Sequence, residues 1–83
     1  MLALVRLLTP EALILKTLEE KPRRANELLE RTKLAKSVLY RAIKDLMMNG
    51  WVRKREVDRE VVYEITSEGR RALEEARRVL ATS

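Results

Sequence analysis

Cysteine, histidine and glutamine are all missing from this 83-residue sequence. Without cysteine there are no disulfides and no thiolate metal sites. Without histidine the commonest metal ligand and the commonest general base are gone. There is no phosphate-loop glycine pattern, and no acidic cluster has metal-ligand spacing. Catalysis therefore finds no support, and the sequence implies a non-enzyme that needs no cofactor and no metal. No apolar run approaches the roughly 18 residues of a membrane span. The stretch MLALVRLL is short, lacks a basic start and has no small-residue cleavage site before Thr9-Pro10. It does not read as a signal peptide, so a cytoplasmic protein with no membrane partner is the expectation.

What is present is charge. Asp, Glu, Lys and Arg make up 37% of the chain, against roughly 25% in ordinary domains. The net charge of +5 is unevenly placed: residues 21–59 hold twelve Lys/Arg against five Asp/Glu, a sum of +7, while residues 1–20 and 60–83 each sum to −1. A concentrated basic block in a folded segment is an electrostatic footprint for a polyanion. Abundant Arg, Glu and Lys with no glutamine and little asparagine fit a thermophilic source. The length suits one small domain over residues 1–83 with a thin core.

Thr9-Pro10-Glu11 has the form of a helix start: a capping hydroxyl, a proline at the first helical position and an acid in the first turn. The helix should stop near Glu20, because Pro22 disfavours helix at Lys21. After the connector Lys21-Pro22-Arg23-Arg24, a short helix over about Ala25–Arg31 buries Ala25, Leu28 and Leu29. A tight turn at Thr32-Lys33-Leu34 follows. On a wheel begun at Lys36, one half holds Val38, Leu39, Ala42, Ile43, Leu46 and Met47; the other holds Lys36, Ser37, Tyr40, Arg41, Lys44, Asp45 and Met48. Asn49-Gly50 ends this helix, with Gly50 free to take the left-handed conformation. The period then changes to two. WVRKREV and EVVYEI flank Asp58-Arg59, which as a hairpin tip sets Val52 against Ile65, Arg53 against Glu64, Lys54 against Tyr63, Arg55 against Val62 and Glu56 against Val61. Lacking glycine, the tip is expected to be slightly longer than a two-residue turn, or mobile. Thr66 caps a last helix over about Ser67–Ala81. The order predicts a mainly α domain with a small β-hairpin, a winged helix-turn-helix.

The run ANELLERTKLAKSVLYRAIKDLMMNGWVRKREVDREVVYEITSEGRRAL closely resembles winged-helix transcriptional regulators of the MarR/PadR type found in bacteria and archaea. ANELLERT matches the first helix of the motif, SVLYRAIKDLMMNGWV the recognition helix and entry to the wing, and REVDREVVYEITSEG the wing and closing helix. The chain departs from the pattern at Lys33, where glycine is usual, and at Ala35, where a serine or threonine cap is usual. The resemblance implies a sequence-specific regulator that binds double-stranded DNA, with a recognition helix over about 35–49 in the major groove. The wing over 51–65 would lie on the backbone or in the minor groove. The implied DNA-binding residues are Lys33, Lys36, Ser37, Tyr40, Arg41 and Lys44, with Arg53, Arg55 and Arg59 on the wing and Arg23 and Arg24 ahead of the second helix. Arginine can grip guanine edges bidentately, lysine holds phosphates, and arginines on a thin ribbon suit the minor groove. Asp45 can pair with Arg41. Trp51 reads as core. Residues 1–8 and 67–83 are candidate homodimerisation segments; the sequence names no small-molecule effector. The competing reading is a winged-helix protein–protein adaptor, for which the recognition-helix face would be apolar or acidic; Met48 leans that way.

Overall fold

The computed structural model describes residues 9–82, which form helices α1 (Pro10–Glu20), α2 (Ala25–Thr32) and α3 (Lys36–Met48), strands β1 (Val52–Val57) and β2 (Glu60–Ile65), and helix α4 (Ser67–Thr82). Residues 1–8 lie outside the described part, and with them half of the expected dimerisation surface. Helix boundaries follow the capping chemistry. The Thr9 hydroxyl accepts a hydrogen bond from the Ala12 N–H at 3.3 Å, with Pro10 opening α1 and Glu11 in its first turn. Lys21 is fully extended (φ −170°), ending α1 at Glu20 ahead of Pro22. Helix α2 runs one residue beyond the predicted Arg31, and Lys33 then turns left-handed (φ 61°), its N–H bonding the Leu29 carbonyl at 3.0 Å.

Helix α3 starts at Lys36 although Ala35 has no side chain to cap it. At the other end the Gly50 N–H bonds the Met47 carbonyl at 3.0 Å and the Trp51 N–H bonds the Leu46 carbonyl at 2.9 Å. With Gly50 at φ 77°, this is a Schellman motif, and it turns the chain directly into β1. The hairpin has the register predicted at every pair named above, and Val57 pairs with Glu60. The expectation of a longer tip fails. Asp58 (φ 51°) and Arg59 (φ 68°) form a two-residue turn with both residues at positive φ. That geometry matches the right-handed twist of the strands, and here it outweighs the cost of placing two non-glycine residues in the left-handed region.

The core gathers one face of every element: Ile14, Leu15 and Leu18 of α1, Leu28 of α2, Leu39, Ala42, Ile43 and Leu46 of α3, Val52, Tyr63 and Ile65 of the hairpin, and Leu73 of α4. Trp51 packs partly buried against it, as do Met47 and Leu29. Val38, on the predicted inner half of α3, is instead at its exposed edge. At the hairpin base the Thr66 hydroxyl accepts from the Gly69 N–H at 3.0 Å and donates to the Gly50 carbonyl at 2.6 Å, while the Thr66 N–H bonds the Trp51 carbonyl at 2.9 Å.

Helix α4 is fastened to the end of α1 by charge. Both terminal guanidinium nitrogens of Arg77 donate to the Glu19 carboxylate, at 2.8 and 2.9 Å, and Arg70 donates to the Glu19 carbonyl at 3.3 Å. The Arg77 hydrogen bonds hold the Glu19 carboxyl below the ordinary glutamate value. A depressed folded-state pKa adds stability that is present above the unfolded-state value, about 4.3, and is lost as pH falls through the folded-state value. Glu19→Gln should therefore flatten part of the acid-side fall in Tm between about pH 5 and pH 3. The pair is partly exposed, so the effect at neutral pH should be small. A thermal melt series across that range checks it; an unchanged acid slope would dismiss the pair as a contributor.

Candidate nucleic-acid interface

The outer face of α3 carries Lys36, Ser37, Tyr40, Arg41 and Lys44, all exposed. Lys33 lies exposed in the turn just before it. Among the described residues, Lys33, Lys36, Arg41 and Lys44 have no carboxylate in salt-bridge distance. The Arg41–Asp45 pairing allowed by helical spacing does not form, so Arg41 is unoccupied. Four cations without counter-charges on one helix and its leading turn make a strongly positive surface. Tyr40 stands half-exposed in the middle of this face. Burial raises the Tyr63 phenol pKa above the usual tyrosine value, and the nearby Tyr40 hydroxyl pushes it the same way. The Tyr63 phenol therefore stays neutral at physiological pH.

On the wing the cations are in different states. Glu64, only 14% exposed, holds Arg53 through Nε, and its other oxygen is 3.7 Å from Arg55. One carboxylate thus partly neutralises two of the predicted contact arginines. Arg59, at the tip, has no such partner among the described residues. Lys54 is also free and lies opposite Tyr63.

Arg23 and Arg24 separate sharply. The connector is extended there, so neighbouring side chains point opposite ways. Arg23 points inward and is 2% exposed; its Nε donates to the Thr17 carbonyl at 3.1 Å and its terminal nitrogen meets Glu20. This corrects its expected place at a phosphate: the guanidinium is used up in closing the C-terminal turn of α1. Arg24 points outward but pairs with Glu60 and, at 3.7 Å, with Glu27. Its N–H donates to Glu27 at 3.0 Å, which caps α2 and holds the Glu27 carboxyl below the ordinary glutamate value. Composition could not tell these adjacent arginines apart; the alternation of an extended segment after Pro22 is the signal that could have.

Two of the free cations sit where an L-residue is strained. Lys33 and Arg59 both have positive φ, a conformation that glycine adopts without penalty. Lys33→Gly and Arg59→Gly should each raise stability or leave it level, by at most about 1 kcal/mol, while weakening duplex DNA binding. Denaturation curves and binding isotherms on the same preparations test this. A glycine variant that binds DNA as tightly as the parent would remove that cation from the interface.

The model of the HVO_A0261 N-terminal domain matches residues 4–83. The chain belongs to this family. Solved structures give this HVO_A0261-type domain the winged helix-turn-helix fold of MarR-type transcriptional regulators. The transcriptional regulator BldR from Sulfolobus solfataricus superposes with a TM-score of 0.79 at 33% identity over 88% of this chain and 55% of that one. A MarR-family transcriptional regulator from Silicibacter pomeroyi gives 0.75 at 25% identity, over 81% of this chain and 47% of that one. The reduced form of the transcriptional regulator YodB from B. subtilis gives 0.78 at 23% identity, over 86% and 74%. The domain thus spans about half the length of BldR. No curated protein matches the chain. Among the described residues, no helix is long and apolar enough to cross a membrane.

Proposed function

We propose that this chain is a transcriptional regulator that binds duplex DNA in a sequence-dependent manner, with α3 in the major groove and the hairpin on the backbone or in the minor groove. The observation that carries this reading is the row of unneutralised cations at Lys33, Lys36, Arg41 and Lys44 on a helix whose other face builds the core. A helix offered to water alone gains nothing by leaving every cation unpaired, whereas phosphates and guanine edges supply the missing acceptors. Arg59 at the wing tip and Arg55 behind it extend the same positive surface to a second groove. The adaptor reading has Met48, 77% exposed, in its favour, but Met48 is alone at the end of a cationic face.

The working unit is proposed to be a homodimer joined through residues 1–8 and α4. A largely apolar cleft of about 220 Å³ supports this; Ala12, Leu15, Trp51, Ala72, Leu73 and Ala76 line it, together with Thr9, the residue that follows 1–8. Two copies would set two α3 helices about 34 Å apart, matching a palindromic site.

Duplex binding across a salt series tests the central claim. The logarithm of affinity should fall linearly with the logarithm of salt, with a slope near −0.9 for each phosphate neutralised. No binding to any duplex at low salt would overturn the proposal.

A further inference from the structure

The connector between α1 and α2 touches β2 at two places. At the first, the Arg23 N–H bonds the Tyr63 carbonyl at 3.0 Å and the Tyr63 N–H bonds the Arg23 carbonyl at 2.8 Å, an antiparallel bridge. Both Tyr63 backbone groups are spent on Arg23, so the Lys54–Tyr63 pair on the other side of β2 is a non-hydrogen-bonded one. At the second place, Arg24 pairs with Glu60, the first residue of β2 beyond the tip. The two attachments lie three residues apart on one strand. They reach opposite ends of the motif: the buried Arg23 guanidinium is anchored to Thr17 and Glu20 of α1, and Arg24 is the capping residue of α2.

We infer that Arg24 and Glu60 are positioning residues that clamp the wing to the helix-turn-helix body, with the Arg23–Tyr63 bridge as the hinge they hold shut. A two-stranded hairpin is marginal by itself and would swing at its base. The base of the hairpin is held by Val52, Tyr63 and Ile65 in the core and by the Arg23–Tyr63 bridge; the Arg24–Glu60 pair, three residues nearer the tip, holds the outer half. The wing is then presented at one fixed angle to α3, so both can meet duplex DNA without an ordering cost at binding. For its consequence this rests on the DNA-binding reading above; for its geometry it does not. Glu60 makes the case specific. An acid this close to the wing tip opposes phosphate, so its presence there calls for a structural return, and Arg24 supplies one.

Hydrogen exchange on the free protein and duplex affinity together test the clamp, in Glu60→Gln, Arg24→Glu and the exchanged pair Arg24→Glu/Glu60→Arg. The two single changes should speed exchange of the Arg23 and Tyr63 amides about threefold, the pair being half-exposed, by opening the bridge more often. Both should weaken duplex binding about fivefold, as the wing must then be ordered on the DNA. The exchanged pair should restore slow exchange and most of the affinity. Charge alone predicts the opposite for Glu60→Gln, which removes a negative charge and would tighten binding. Tighter binding by that variant, or unchanged amide exchange in both single variants, would overturn the clamp. If the parent chain binds no duplex, the DNA reading falls while the exchange measurement still decides the clamp.

Discussion

Gly69→Ala is expected to destabilise the domain by about 3 kcal/mol, the upper part of the range for forcing an atom into a packed site. Gly69 is buried in the first turn of α4, and a methyl group there would stand 2.2 Å from the Trp51 carbonyl oxygen and 2.8 Å from Ile65 Cγ1. Helix propensity works the other way, since alanine is favoured over glycine by about 1 kcal/mol inside a helix. The steric term wins because its nearer obstacle is backbone, and that backbone is pinned: the same carbonyl accepts the Thr66 N–H. Gly50→Ala is the control. Nothing lies within 4 Å of a Cβ at Gly50, so only its positive φ is at stake, and about 1 kcal/mol is the expected loss. Urea denaturation of both variants checks the contrast. A Gly69→Ala protein as stable as the Gly50→Ala one would mean that α4 can slide away from the hairpin base at little cost.

Arg41→Ala should collapse sequence preference more than it lowers general affinity. A bidentate arginine on guanine discriminates against the wrong base by about 1–3 kcal/mol, which is roughly 5- to 150-fold. Arg41 can make such a contact because no carboxylate in the described structure claims it. Lys36→Ala should instead weaken binding evenly across duplexes and reduce the salt slope by about 1. Arg41→Lys keeps the charge but not the planar fork, so it should retain non-specific affinity and lose preference. Binding to a randomised duplex pool, before and after each substitution, separates the outcomes. If Arg41→Ala leaves the selected sequences unchanged, the base-reading residue lies elsewhere on the face.

Much of this arrangement is legible in the sequence. The hairpin register followed from a period of two and the position of Asp58-Arg59, because one face had to bury Val52, Tyr63 and Ile65. The starts of α1 and α4 and the end of α3 were legible because Thr9, Thr66 and Gly50 each have one local role that suits their chemistry. The tip was misjudged because turn propensity is a local preference, and strand twist, a property of the whole hairpin, overrode it at Asp58 and Arg59. The fates of Arg23 and Arg24 were hidden for a different reason. Both are basic residues in a polar connector, and only the passing of β2 alongside that connector distinguishes the buried one from the paired one. Glu64 was expected to hold Arg53, but its second oxygen near Arg55 needed the diagonal geometry of a twisted ribbon.

The Thr66 side chain has a mechanical consequence. Its single hydroxyl receives the Gly69 N–H and gives its own proton to Gly50, so the stop of α3 and the start of α4 are spliced at one atom. Such a splice works as a rigid crank. In the proposed dimer, a rotation of α4 would therefore be passed through this atom to α3 and to the face proposed to meet DNA. Two copies brought together at a different angle would therefore differ in the DNA spacing they accept, with no change in any residue that touches the bases.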